Sequence, residues 1–91
     1  LSWTVRYTET AAKAIKKLDP TVRKRVRAAI DALREDPHRG KPLQLTLKGL
    51  CSWRTGDWRI VYRIRRSRIE IVHATTGHRR EVYDRLRSLL R

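Results

Sequence analysis

Residues 50–75 read LCSWRTGDWRIVYRIRRSRIEIVHAT, and two short polar interruptions divide them into three alternating runs. Residues 50–54 predict a strand, Thr55-Gly56-Asp57 a tight turn, and residues 58–64 a second strand. Arg65-Arg66-Ser67-Arg68 predicts another turn, followed by a third strand over residues 69–75. Strands joined by links this short form an antiparallel meander, because a parallel crossover needs roughly a dozen residues. In the second strand Trp58, Ile60, Tyr62 and Ile64 share one face, while Arg59, Val61, Arg63 and Arg65 share the other. In the third, strict alternation sets Ile69, Ile71, His73 and Thr75 against Glu70, Val72 and Ala74. One face is therefore core, and the other is partly covered and strongly basic, as a bed for a phosphate backbone would be.

Before the meander, Trp3, Val5 and Tyr7 alternate with Thr4, Arg6 and Thr8, predicting a short N-terminal strand. Thr8 or Thr10 can cap a first helix whose apolar stripe is Ala11, Ala14, Ile15 and Leu18. Asp19-Pro20 then supplies an N-cap candidate and a proline at the first helical position. Val22, Val26, Ala29, Ile30 and Leu33 form the buried stripe of a second helix, which should stop near Asp36-Pro37. The two helices are expected as a hairpin laid across the sheet. Leu43, Leu45 and Leu47 alternate between Pro42 and Gly49, predicting an edge segment or a loop with one strand turn. After Gly77, residues 78–91 read as a C-terminal helix or arm with Val82, Leu86, Leu89 and Leu90 on its apolar side. The fold class is α+β: strand, helical hairpin, an antiparallel three- or four-stranded sheet, and a C-terminal segment, with the helices on one side.

Residues 1–91 suit a single domain with one modest core. Against 40% hydrophobic residues stand 23 Lys and Arg to 9 Asp and Glu, a formal net charge of +14. Half of that excess precedes Arg54 and half follows, so it is no basic tail but is interleaved with the apolar periodicity. A surface so charged repels itself unless a polyanion covers it, and nucleic acid, an anionic membrane and an acidic protein are the candidates. The lone Cys51 rules out an internal disulfide framework and points to a reducing, cytoplasmic setting, with the thiol read as a small packed side chain. No run approaches the roughly 18 apolar residues of a membrane span, no signal-peptide pattern opens the chain, and the missing initiator Met is read as trimmed. No membrane partner is expected.

His38, His73 and His78 lack ligand spacing with Cys51, and Gly56 and Gly77 stand outside any nucleotide-binding glycine pattern, so no metal or cofactor is expected. What remains is a set of Arg, His and Tyr at strand ends: Arg54 and Arg59 around the Gly56 turn, and Arg79, Arg80 and Tyr83 after Gly77. Guanidinium forks hold two phosphate oxygens and stabilise the charge that grows on them while an RNA 2′-hydroxyl attacks its own phosphate. The same residues also suit simple binding, since strand-end arginines are commonly just solvated.

From Trp53 to Tyr83 the chain carries Trp-Arg-Thr-Gly-Asp-Trp-Arg-Ile-Val-Tyr-Arg-Ile, then Ile-Glu-Ile-Val-His, then Gly-His-Arg-Arg-Glu-Val-Tyr. Together with Tyr7, Ala11 and Leu18, Asp36-Pro37, and Gly40-Lys41-Pro42-Leu43, these motifs resemble the RelE/ParE superfamily of bacterial type II toxins, nearest its RelE branch. The resemblance implies a ribosome-dependent, metal-independent mRNA endoribonuclease that inhibits translation and is held inactive by a cognate antitoxin. Its implied partners are mRNA in the ribosomal A site, ribosomal RNA, and operator DNA only together with the antitoxin. It also implies that Arg59 steadies the scissile phosphate, that Arg79 meets transition-state charge or protonates the leaving group, and that Tyr83 orients or stacks the substrate. Certain members carry two lysines before the Gly turn, one tied to activation of the nucleophile; here those places hold Leu50 and Ser52. Lys48 lies nearby, and His78, then His73, are the substitutes whose imidazole can exchange protons near neutral pH. Arg54, Lys48, Arg80 and Arg63 are expected to bind RNA phosphates. The rival readings are a ParE-like DNA gyrase inhibitor, against which the Gly77-to-Tyr83 motif with Arg59 argues, and an inactive nucleic-acid- or antitoxin-binding module.

Overall fold

The computed structural model of the chain describes residues 3–43 and 49–76. In chain order its elements are β1 (Thr4–Tyr7), α1 (Glu9–Lys16), α2 (Pro20–Glu35), a 3-10 turn (Pro37–Arg39) and β2 (Lys41–Pro42). The meander follows as β3 (Cys51–Thr55), β4 (Trp58–Arg65) and β5 (Arg68–Thr76). The expected C-terminal helix or arm and the Leu45–Leu47 alternation lie outside the described residues.

The strands form one sheet in the order β1-β5-β4-β3-β2. Antiparallel ladders join β2 to β3, β3 to β4 and β4 to β5, as the short links require. The sheet gains a fifth strand because β1 pairs with β5, and it does so in parallel, with Val5 beside Ile69 and Tyr7 beside Ile71. A parallel neighbour is possible here because the helical hairpin and the meander both intervene between the two strands. Gly40 and Lys41 place the edge strand β2 just before Leu43, whose N–H donates to the Leu50 carbonyl at 2.8 Å.

Thr8, rather than Thr10, caps α1: its Oγ1 accepts from the Ala11 N–H at 3.1 Å. Asp19 occupies the N-cap of α2 without a side-chain cap bond, and Pro20 sets the first helical φ. Arg23 ties the two helices, its Nη2 donating to the Lys16 and Leu18 carbonyls left open at the end of α1. Ile15, Val26, Ile30 and Leu33 then pack on Ile60, Tyr62, Ile69 and Ile71, so both helices cover one sheet face, as the stripes predict.

Strict alternation fails at one place. Val61 pairs with His73 but Tyr62 pairs with Ile71, so Val72 is one residue too many in β5, a β-bulge. Beyond it the faces exchange: Ala74 joins Ile60 in the core, whereas His73 and Thr75 stand across from Val61 and Arg59 on the face turned away from the helices. This reverses the expectation that His73 and Thr75 share the face of Ile69 and Ile71. The Thr8 Oγ1 that caps α1 also donates to the Val72 carbonyl at 2.8 Å, and the Thr8 N–H donates to Ile71 at 3.0 Å. Val72 itself is buried with Val61, Leu43 and Leu50 in a small second cluster on the opposite face.

Tyr62 links sheet and connection. Fully buried, its hydroxyl donates to the Pro37 carbonyl at 2.6 Å and accepts the Gly40 N–H at 3.0 Å. A Cβ on Gly40 would sit 2.1 Å from that hydroxyl oxygen, so only glycine fits. Burial raises the Tyr62 pKa from 10.0 to about 12. Removing the hydroxyl in Tyr62→Phe leaves a donor and an acceptor unmatched and should cost about 1–3 kcal/mol in urea unfolding. Below pH 10 both folded and unfolded chains keep this proton; between 10 and about 12 only the folded chain does, so stability falls as pH rises through that window. Urea titrations across this range should show that part of the decline vanishing in Tyr62→Phe.

Candidate nucleic-acid interface

The sheet face turned from the helices carries the charge. Directly opposite residues in an antiparallel pair project to the same side, so the registers gather Arg54, Arg59, Arg63, Arg65 and His73 there. Arg54 stands directly across from Arg59, next to the two-residue loop Gly56-Asp57, where Gly56 takes φ +59. Two like charges opposed in this way repel, which is tolerated when an anion is meant to lie between them. Arg54 is exposed, whereas Arg59 is half-buried with its Nη1 out of contact with solvent. The buried Nη1 limits where Arg59 can aim, while the exposed Arg54 keeps its reach.

A groove of about 360 Å3 runs along this end of the sheet, lined by Arg39, Lys41, Leu43, Ser52, Arg54 and Arg59. Its four cations come from three separate parts of the chain. Lys41 stands in register with Ser52, so an edge-strand cation stands beside one of the two places where certain relatives of this resemblance carry lysine. The other, Leu50, is buried with Leu43, Val61 and Val72 and brings no charge. Arg39 and Lys41 were not singled out by the sequence reading. Their placement depends on the β2–β3 pairing, and the only signal within the sequence was the Gly40-Lys41-Pro42 punctuation.

The structure brings Arg54, Arg59 and half-buried His73 to one face, His73 by way of the bulge. Arg63 shares the face, but its Nε bonds the Glu70 carboxylate across the β4–β5 pair. That ion pair ties β4 to β5 in the middle of the face. Lys48, His78, Arg79, Arg80 and Tyr83 lie outside the described residues. Cys51 faces Tyr62 on the core side, and burial pushes its thiol pKa up, against ready formation of a thiolate nucleophile. Among the described residues no three His, Cys, Asp or Glu side chains gather where they could hold a metal ion, and no helix is long and apolar enough to cross a membrane.

A helical hairpin on one face of a five-stranded sheet, with arginines opposed on the other, defines a small basic α+β protein. Known proteins narrow the class. The family model described as "ParE toxin of type II toxin-antitoxin system, parDE" matches residues 5–83. Toxin RelG of Mycobacterium tuberculosis is 37% identical over 91 residues, covering 93% of this chain and all of the relative. The toxin-antitoxin complex RelBE2 from the same organism contains a chain 34% identical at a TM-score of 0.78, over 85% of this chain and 100% of that one. The isolated Escherichia coli RelE toxin shares the fold at a TM-score of 0.73 and 19% identity, over 99% of this chain and 100% of that one. The chain belongs to the RelE/ParE superfamily of type II toxin-antitoxin toxins, on its RelE side.

The Arg54–Arg59 opposition gives a direct test of the local electrostatics. Arg54→Gln should raise folding stability by about 0.5 kcal/mol at low salt, with the gain disappearing at high salt as screening removes the repulsion. Urea unfolding of both proteins at two ionic strengths measures it, and a loss of stability at low salt would contradict the opposition.

Proposed function

We propose that this toxin is a ribosome-dependent mRNA endoribonuclease that cleaves the message through its own 2′-hydroxyl, and that a cognate antitoxin silences it. The observation that carries the reading is the groove lined by Arg39, Lys41, Arg54 and Arg59, in a chain 37% identical to toxin RelG. In the reaction the 2′-oxygen forms a bond to phosphorus, the bond to the 5′-oxygen breaks, and the products are a cyclic phosphate and a 5′-hydroxyl. One proton leaves the 2′-hydroxyl and one reaches the departing 5′-oxygen. Arg59 grips the non-bridging oxygens, and Arg54 and Arg39 draw the flanking phosphates. Arg79 meets the developing charge or protonates the leaving group, Tyr83 orients or stacks the base, and Arg80 and Lys48 add phosphate contacts.

With Ser52 in the groove and Leu50 buried, neither place where such a lysine would stand carries a cation, and activation of the nucleophile falls to other groups. Lys41 lowers the cost of the emerging alkoxide by its charge, and His78 takes the proton, with His73 as the second candidate. The message is cut in the ribosomal A site, with ribosomal RNA as further contact surface. Operator DNA is bound only in company with the antitoxin. Residues 1–91 act as one unit in this reading.

Primer extension on a translated mRNA tests it. Wild type should give discrete stops within codons, and Arg59→Ala and Arg79→Ala should each cut roughly a hundred- to a thousand-fold more slowly. Lys41→Ala should slow cleavage without weakening binding of a substrate whose 2′-hydroxyl is replaced by hydrogen. No cleavage on ribosomes by wild type, or cleavage by both arginine variants at the wild-type rate, overturns the nuclease reading. The second reading, inhibition of DNA gyrase, is favoured by the ParE description of the matching family model. A supercoiling assay on the same preparation would detect it.

A further inference from the structure

The opposite end of β4 repeats the arrangement found at the groove. Arg65 stands directly across from Arg68, again a like-charge pair beside a two-residue loop, here Arg66-Ser67. Arg6 of β1 reaches the same place, since it pairs with Glu70, and a cavity of about 760 Å3 is lined by Arg6, Arg65, Arg66, Ser67, Arg68 and Glu70. The one carboxylate there among the described residues, Glu70, is already bonded to Arg63.

Three local choices at this hairpin work against stability. The first loop position needs a positive φ, and hairpins of this kind favour glycine there. The loop at the other end of β4 obeys the rule with Gly56 at φ +59, whereas this one places Arg66 at φ +53, the only non-glycine residue with positive φ among the described residues. The Arg65–Arg68 opposition adds repulsion, and Arg6 adds a further like charge. None of this guards a sheet edge, because β4 and β5 are both interior strands. Strain and repulsion retained together in this way mark a functional site more often than an accident of packing.

We infer that the β4–β5 hairpin is a second RNA-binding site, which grips the phosphate backbone of a helical RNA segment and takes no part in cleavage. Arg59 and Arg65 are six residues apart in β4, about 20 Å of strand, so the two arginine pairs meet different phosphates. All four cations are arginines, whose planar forks match phosphate oxygens in bidentate fashion. Among the described residues the lining has no apolar or aromatic anchor of the kind on which protein interfaces depend, which favours RNA over an acidic protein. Such an anchor is present instead in the separate groove on the helical side, where Tyr7 and Ile15 line the wall. The choice of RNA among polyanions rests on the proposed function, but the existence of the site does not.

Binding of a short labelled RNA duplex, which is not a cleavage substrate, reads the site independently of nuclease activity. Fluorescence anisotropy across a salt series should show the Arg65→Gln/Arg66→Gly/Arg68→Gln variant losing about tenfold or more in affinity, with the log–log salt slope falling by about 2–3. A control of equal charge on the helices, Lys17→Gln/Lys24→Gln/Arg25→Gln, should lose clearly less. Arg66→Gly alone should keep or raise the melting temperature while lowering the slope by about 1, which separates binding from folding. Equal losses in the hairpin and helix variants would mean a diffuse charge effect and overturn the site. A loss for poly-glutamate as large as that for RNA would overturn the choice of RNA in favour of an acidic protein.

Discussion

The sheet depends on one extra residue in β5. Val72 breaks the ladder with β4, and the Thr8 hydroxyl, which also caps α1, donates to the carbonyl of that residue. A single side chain thereby joins the start of the helical hairpin to the point where the sheet changes face. On one side of the bulge Ile69 and Ile71 supply the core; on the other Ala74 does, and the small side chain leaves room for Ile60 beneath the helices. The exchange releases His73 and Thr75 to the arginine face. Without the bulge the strand would bury an imidazole and a hydroxyl under α1 and α2, where each would need a hydrogen-bond partner.

Charge on the far face is organised rather than merely abundant. Arginines are opposed at both ends of β4, and the middle of the strand is held by the Arg63–Glu70 ion pair beside the apolar patch of Val61, Val72, Leu43 and Leu50. The centre of the face is thus neutral and packed, and the repulsion is concentrated at the two hairpins, where the backbone turns and the side chains have room to spread. The core has to outweigh this repulsion. Tyr62 contributes from the other side of the same strand, anchoring the connection that carries Arg39 and Lys41 to the groove. Packing on one face and the arginine array on the other are therefore coupled through the pleat of β4, in which neighbouring residues serve opposite sides.

Much of this was legible in the chain. The three runs over residues 50–75, the Asp19-Pro20 break and the stop at Asp36-Pro37 mark elements that formed where expected, because period and turn chemistry are local properties. Arg59 and Arg54 were legible as a pair flanking a turn. The position of β1 was not, since an alternating tetrapeptide carries no information about which strand it will join or in which direction. Nor was the place of Lys41: its neighbours in sequence are Gly40 and Pro42, and its neighbour in space is Ser52.

Sequence alone determined the composition of the parts: a meander, two amphipathic helices, a basic face on β4, and the motifs that mark a type II toxin. Each follows from side-chain periodicity or from residues close along the chain. Tertiary structure decided the register and therefore the face. A bulge shifts the alternation by one, and whether it occurs depends on long-range hydrogen bonds such as that from Thr8 to Val72, 64 residues away. For the same reason only the folded sheet could set Lys41 beside Ser52, put His73 on the face that carries Arg59, and place an arginine at each end of β4 directly across from another.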